Sequence, residues 1–204
     1  TGGFMGSYAM LEVDKGDVKL IDVPGGGEYA FLGTVRTAFA SPEPLHLINP
    51  VWQFQDANWW PDWQASAEKI SWFYEQGNGA TVDYIIGMTP NVLEELLRIT
   101  GPILVKETED NYIDHKNVYA TLQTRPDTEE IDKAPKKIIG NSLISVFERV
   151  QKLDASEIRR LLPSIRTSLK QKHVLLYAKD SKAKHVINDN NWGGDIKKVE
   201  GDYL

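Results

Sequence analysis

The chain has 204 residues, of which 41% are hydrophobic and 25% are charged, an ordinary composition for a globular protein with a sizeable core. The net charge of −6 argues against a basic nucleic-acid-binding surface, so nucleic acid is not expected as a partner. Cysteine is absent, which excludes disulfides, thiolate metal sites and a cysteine nucleophile. Tryptophan is concentrated in one place, because five of the six lie between residues 52 and 72.

The N-terminal pattern predicts a β-hairpin. Residues 8–13 and 18–23 are strand-like, and the intervening DKGD of residues 14–17 is typical of a tight turn. Residues 30–55 contain three prolines and no clear periodicity. This segment has loop character, and no regular element is predicted in it.

A helix is predicted from Asp62 to about Gln76. Asp62 suits the N-cap, and Gly77 suits the position just past the last turn. The apolar residues in between recur at helical spacing, which predicts that one face is buried.

A strand, a second helix and a short strand follow. Residues 81–88 are typical of a buried strand, Thr89 and Pro90 of a helix start, and residues 103–105 of a short strand. Strand, helix and strand in this order make a βαβ unit a candidate. The connection is also long enough for other arrangements of the strands.

The C-terminal part continues the alternation of elements. Asp154 with Glu157 predicts a capping box at a helix start, and Pro163 is expected to kink or split that helix. The other expected elements are a short helix over 114–122, a polar loop over 124–135, an amphipathic helix over 136–152, a strand over 173–178 and a helix over 181–189. The whole chain, 1–204, is therefore predicted to be a single α/β domain with a mixed central sheet covered by helices in three layers.

The stretch QDANWWPDW, residues 55–63, is the first candidate site. Oxygen ligands from Asp56 and Asp62, with the amide of Asn58, suit Mg²⁺. Asn58 is also a candidate substrate-binding residue. The alternative is that Asp62 is a helix cap, and that Asp56 with Asn58 forms an Asx-turn that shapes the entry to the helix. Both interpretations stay open on sequence alone.

The adjacent Trp59 and Trp60 are candidate sugar-stacking residues. Exposed aromatic rings beside carboxylates are typical of glycan-binding surfaces, although large aromatics are more often found in cores or interfaces. Because the two residues are adjacent, they are not expected to enter the same pocket.

Four cations are candidate contacts to an anionic substrate. Arg36 and Arg125 lie in predicted loops, and Lys136 with Lys137 lies near a predicted helix start. Cations are unfavourable at a helix N-terminus, so a bound anion would compensate there. The alternative is a solvated basic cluster.

Several motifs together resemble a bacterial family known as domain of unknown function 4012. The resemblance rests on five stretches, in which Gln55 stands where the family pattern usually has an arginine. Family members tend to be extracytoplasmic with an N-terminal membrane anchor. The resemblance therefore implies that this chain is a truncated soluble portion of a longer, membrane-anchored protein. The stretches are TGGFMGSYAMLEV (1–13), QDANWWPDWQASA (55–67), VDYIIGMTPNVLEELLRITGPILV (82–105), NVYATL (117–122) and NNWGGDI with DYL (190–204).

The order of elements is also distantly similar to the LytR-CpsA-Psr family, which transfers glycopolymers from a polyprenyl-pyrophosphate carrier to the cell wall. The segment NVYATLQTR, residues 117–125, resembles that family's helix leading into an arginine-containing loop. This similarity implies an Mg²⁺-assisted transferase in which Asp56 and Arg125 are catalytic. In the same mechanism Arg36 neutralises pyrophosphate charge and Asp62 helps Asp56 to hold the metal.

Two other classes of function stay open. The same fold is equally compatible with a module that binds lipid-linked saccharides or cell-wall glycans without chemistry. It is also compatible with a structural role in which the tryptophan-rich stretch is a protein interface. Fold similarity does not decide among the three, because function depends on the site.

Overall fold

The structure is a computed structural model, and it describes most of the chain in five long segments. Among these residues, no helix is long and apolar enough to cross a lipid bilayer. The described residues are 3–24, 31, 33–77, 79–105, 112–123, 134–196 and 201.

Short strands and longer helices alternate along the described chain. The helices are α1 (Glu43–His46), α2 (Trp63–Gln76), α3 (Pro90–Thr100), α4 (Val118–Gln123), α5 (Ala134–Val150), α6 (Ala155–Lys170) and α7 (Ser181–Asp189). The strands are β1 (Met10–Asp14), β2 (Asp17–Asp22), β3 (Phe39–Ala40), β4 (Val51–Trp52), β5 (Tyr84–Met88), β6 (Ile103–Leu104), β7 (Tyr112–Ile113) and β8 (Val174–Ala178).

The α/β class is confirmed, and the described strands form four small sheets of two strands each. The pairs are β1 with β2, β3 with β4, β5 with β8, and β6 with β7. Of the arrangements left open, the βαβ unit is not present among the described residues, because β5 pairs with β8 and not with β6. Strand β6 has only two residues, which pair antiparallel with β7.

The N-terminal hairpin is confirmed. Strands β1 and β2 are antiparallel, and Asp14 lies opposite Asp17. Lys15 and Gly16, the two residues between them, have φ values of 50° and 93°. Positive φ at both loop positions is what a type I′ turn requires, and its twist matches that of the strands.

The chain divides into two compact units, each built from separate stretches of sequence. Unit 1 comprises residues 1–4, 33–87 and 175–204, and unit 2 comprises 5–32 and 88–174. The single domain over 1–204 stays a prediction. In unit 2 the central cluster of buried side chains consists of Leu97, Ile103, Val105, Ile113, Val118 and Val146.

Helix α2 provides much of the core of unit 1. Trp63, Ala67, Ile70 and Phe73 are buried along one face. The spacing of these residues puts them on one side of the helix, as predicted. Gly87 of β5 lies against the Trp63 ring, and a Cβ atom there would come within 2.6 Å of Trp63 Cη2.

Helix α6 lies in unit 2 and contacts α3. Its predicted capping box is confirmed, since the Asp154 side chain accepts from Glu157 N–H while Glu157 accepts from Asp154 N–H. Pro163 does not split the helix, because α6 continues to Lys170; the alternative, a kink at Pro163, stays a prediction. Pro163 is exposed, so water can solvate the carbonyl that loses its helical donor.

Candidate functional site

Asp56 closes a short 3₁₀ turn, Phe54–Asp56, in unit 1. Its carboxylate accepts a hydrogen bond from Asn49 Nδ2 at 2.8 Å, and its carbonyl accepts from Trp52 Nε1 at 3.2 Å. Partial burial raises the pKa of the Asp56 carboxyl above its ordinary value, against the opposing effect of the Asn49 hydrogen bond. Asp56 is therefore a positioned carboxyl whose ionisation is disfavoured by its surroundings.

Two amide oxygens next to Asp56 in the sequence are buried and lack a donor within the described part of the chain. They are Gln55 Oε1 and Asn58 Oδ1. Gln55 donates through Nε2 to Gln53 Oε1 at 2.8 Å, while its own oxygen is unused. A buried acceptor without a donor is costly, so such an atom points to a bound water or a ligand hydroxyl or amide.

The backbone of Trp60 is fixed by the buried Ser66 of α2. Trp60 N–H donates to Ser66 Oγ at 3.1 Å, and Ser66 Oγ donates to the Trp60 carbonyl at 3.0 Å. Both Trp59 and Trp60 are half-buried. The reciprocal pair of hydrogen bonds holds the loop against α2, so the two indoles are presented from a defined backbone.

Trp60 is also the end of a chain of aromatic contacts, which we call the aromatic cluster. The contacts are edge-to-face, with ring centroids 4.7–5.4 Å apart, which is a favourable geometry for aromatic pairs. Lys69 Nζ lies 4.9 Å from the Trp52 ring centroid and 4.5 Å from that of Trp72. The cluster consists of Phe39, Trp72, Phe73, Trp52 and Trp60.

Asp62 is the N-cap of α2, as one of the two interpretations predicted. Its Oδ1 accepts from Ala65 N–H and its Oδ2 from Ile196 N–H, both at 3.0 Å. Both carboxylate oxygens are thus engaged by backbone donors. Among the described residues no group of three or more acidic or histidine side chains is placed to hold a metal ion, and the Mg²⁺ site at Asp56 and Asp62 stays a prediction.

The C-terminal segment 192–196 packs on the start of α2. Gln64 Nε2 donates to the carbonyls of Leu176 and Gly193, at 3.2 Å and 3.3 Å, and Trp63 N–H contacts the Gly194 carbonyl at 3.5 Å. A Cβ on Gly193 would come within 2.6 Å of Gln64 Nε2. The NNWGGDI motif therefore completes the support behind QDANWWPDW.

The four predicted substrate-binding cations are not brought to Asp56 by any described contact. Arg36 is exposed, in the irregular segment 33–38 of unit 1. Arg125 lies outside the described residues. Lys136 and Lys137 belong to α5 of unit 2, and their side chains lie outside the described part of the structure.

Sequence reasoning missed the residues that support the site. Asn49, Trp52, Ser66 and Lys69 orient Asp56 and the indoles. Ser66 lay within the predicted helix, where a small polar residue on the buried face signals a hydrogen-bond partner nearby. Asn49 and Trp52 lay in the segment with no predicted element and carried no comparable signal.

The fold and this site define an α/β protein in which one short stretch carries a positioned carboxyl, half-buried indoles, and amide oxygens without a donor among the described residues. The chain belongs to the family described as protein of unknown function (DUF4012), whose sequence profile matches residues 1–126. The matched region contains QDANWWPDW but not the supporting NNWGGDI segment. No curated protein and no solved structure matches the chain.

Proposed function

We propose that the chain is a glycan-binding module, with a site formed by Asp56, Asn58, Trp59 and Trp60. The observation that carries this proposal is Asn58 Oδ1, a buried acceptor without a donor in the described structure, adjacent in sequence to two half-buried indoles. A sugar supplies hydroxyl donors along its edge and apolar C–H groups on its face. Binding sites of this kind combine an apolar surface with a few placed polar groups.

The supporting contacts favour Trp59 as the principal stacking residue. Trp60 already packs edge-to-face on Trp52, with ring centroids 5.3 Å apart, and Lys69 lies over the Trp52 ring. No ring contact or hydrogen bond within the described residues engages the Trp59 side chain. The Asn49 hydrogen bond fixes the Asp56 carboxylate, which then serves as an acceptor for a second sugar hydroxyl.

The partner that we infer is a lipid-linked saccharide or a cell-wall glycan, and the setting is the outer face of a bacterial cell. This part of the proposal rests on the resemblance of the motifs to extracytoplasmic, membrane-anchored proteins. The family profile over residues 1–126 includes the QDANWWPDW stretch.

Calorimetric titration with soluble cell-wall glycan fragments tests the proposal. Trp59→Ala is expected to weaken binding by up to about tenfold, the range of one aromatic contact, and Asn58→Ala should weaken it as well. Tyr84→Ala is the matched control, because Tyr84 is an exposed aromatic residue of unit 1, at 59% exposure, outside the stretch. Unchanged affinity in both site variants, or an equal loss in the control, would refute the assignment.

A second candidate is the transferase, acting on a glycan carried by polyprenyl pyrophosphate as in the LytR-CpsA-Psr family. The observation that favours it is the raised pKa of Asp56, since perturbed carboxyls cluster at functional sites. Asp56 and Arg125 are the proposed catalytic residues, with Arg36, Lys136 and Lys137 on the anionic substrate. Both oxygens of Asp62, the other predicted Mg²⁺ ligand, accept hydrogen bonds from backbone N–H groups.

Glycan transfer from a prenyl-pyrophosphate donor separates the two candidates. For the transferase, Asp56→Asn and Arg125→Gln should each abolish turnover while leaving glycan affinity within a few-fold. For the binding module, the wild-type chain shows affinity without turnover, with or without chelator. A mass that rises with protein concentration and falls in a Trp59→Ala and Trp60→Ala double variant would instead support a protein interface.

A further inference from the structure

The solvent-facing side of α6 carries two adjacent rows of side chains. The basic row is Arg159, Arg166 and Lys170, all exposed. The apolar row is Ile158, Leu162 and Ile165, which are 46%, 56% and 40% exposed. At 3.6 residues per turn, the basic row spans about 40° of the helix circumference and the apolar row about 60° beside it.

The packing of α6 uses the apolar row only in part: Leu169, which lies in the same arc of the helix, is buried, whereas Ile158, Leu162 and Ile165 keep 40–56% of their surface exposed. The buried residues of the helix are Leu161, Ser168 and Leu169, and the helix contacts α3. An open surface depression lies along the basic row; its lining residues are Arg159, Leu162, Pro163, Arg166, Thr167 and Lys170. The helix therefore has more apolar surface than its contacts with the rest of unit 2 bury.

The charge of the basic row is uncompensated within the described part of the chain. No carboxylate there forms an ion pair with Arg159, Arg166 or Lys170, although the chain as a whole carries −6. The nearest acidic residue of the helix, Glu157, is engaged in the capping box and lies about 140° or more from the row around the helix. Arg166 and Lys170 are four residues apart, a spacing at which like charges repel, so an anionic partner would stabilise this face.

We propose that α6 docks on the surface of an anionic lipid bilayer. In this arrangement the apolar row enters the boundary between headgroups and acyl chains, and the basic row pairs with lipid phosphates. A soluble polyanion would satisfy only the basic row, and an apolar protein surface only the apolar one. A bilayer satisfies both rows, and this proposal does not rest on the glycan site of unit 1.

Sedimentation with phosphatidylcholine vesicles, with and without phosphatidylglycerol, tests the charge requirement. The protein should bind only the vesicles that contain phosphatidylglycerol, and added salt should weaken binding. The triple variant Arg159→Gln, Arg166→Gln, Lys170→Gln should bind about a hundredfold more weakly, since each cation near a membrane surface contributes about 1 kcal/mol. Arg160→Gln, on another side of the same helix, is the matched control and should lose about fivefold at most.

A fluorescent label tests the apolar row separately. The chain has no cysteine, so Leu162→Cys and Arg160→Cys each provide one attachment point for an environment-sensitive dye. With phosphatidylglycerol vesicles the emission of the dye at position 162 should shift to the blue, and the emission at 160 should not. Circular dichroism checks that each variant is folded.

Three results would overturn the proposal. They are absence of binding to phosphatidylglycerol vesicles, equal binding to both kinds of vesicle, and vesicle binding in which the dye at position 162 stays in water. The last result would mean that the basic row recognises phosphate charge alone.

Discussion

Helices α2 and α6 begin with the same type of N-cap but differ in how much of their surface is buried. Each starts after an aspartate N-cap and has similar length, 14 and 16 residues. Helix α2 buries six residues, and its cap Asp62 also accepts from Ile196 N–H. Helix α6 buries three, and the side-chain bonds of its cap Asp154 are local. Local capping thus decides where a helix begins, whereas the apolar face decides what the helix does.

The largest expected contrast concerns one large side chain in each helix. Trp63 is 5% exposed and Leu162 is 56% exposed. Trp63→Ala should lower the free energy of unfolding by about 3–5 kcal/mol, the usual cost of truncating a buried aromatic. Leu162→Ala should change it by about 0.5 kcal/mol or less.

Urea denaturation followed by circular dichroism measures both values. Trp63→Phe is the refining variant, because the Trp63 Nε1 atom is buried without an acceptor in the described structure. Removing an unpaired donor recovers part of the loss, so Phe should cost less than Ala. Equal losses for Trp63→Ala and Leu162→Ala would contradict the contrast between the two helices.

The sequence predicted what is encoded within a few neighbouring residues. The hairpin turn, the cap and buried face of α2, and the capping box of α6 depend on residues at most a few turns apart, and all are confirmed. Each has a physical signature in composition or spacing. The same reasoning selected QDANWWPDW as a candidate site and predicted Asp62 as the N-cap of α2.

The contacts that sequence reasoning missed join distant residues or very short elements. Strand β5 pairs with β8 across more than 80 residues, and Ile196 N–H reaches Asp62 across 134. No periodicity encodes such a pairing. Strands β3 and β4, with two residues each, are too short to show the alternation that identifies a strand. Helix α6 continues through Pro163 because that residue is exposed to solvent, and a single sequence does not show which residues are exposed.

The next contrast compares the two caps themselves. Asp62→Ala should lower the free energy of unfolding by about 1–2 kcal/mol, at the upper end for an N-cap. The substitution leaves the N–H groups of Ala65 and Ile196 without the carboxylate oxygens to which they donate. Asp154→Ala should cost less, since its bonds are local and exposed to water. Asp62→Ser separates the two roles, because a serine can cap α2 through its hydroxyl but does not supply two carboxylate oxygens. The same denaturation assay applies, and a larger loss for Asp154→Ala would be inconsistent with the tertiary role of Asp62.

The smallest expected effect concerns how stability depends on pH. Asp56 and Asp154 are expected to change it in opposite directions. Burial raises the pKa of Asp56 above its ordinary value of 3.8, so its contribution to stability is fully present below 3.8 and is lost as pH rises through the folded-state value. The Glu157 N–H and neighbouring donors hold the pKa of Asp154 below 3.8. Its contribution is present above 3.8 and is lost as pH falls through the folded-state value.

Unfolding free energies measured from about pH 2 to about pH 6 in the Asp56→Asn and Asp154→Asn variants test this sign. Asparagine does not titrate, and a constant change in hydrogen bonding shifts the whole curve without changing its slope. The wild type should therefore lose stability relative to Asp56→Asn as pH rises, and gain stability relative to Asp154→Asn. Parallel slopes in the two variants would mean that Asp56 is as well solvated or as well hydrogen-bonded as the exposed cap. The transferase candidate would then lose the observation that favours it.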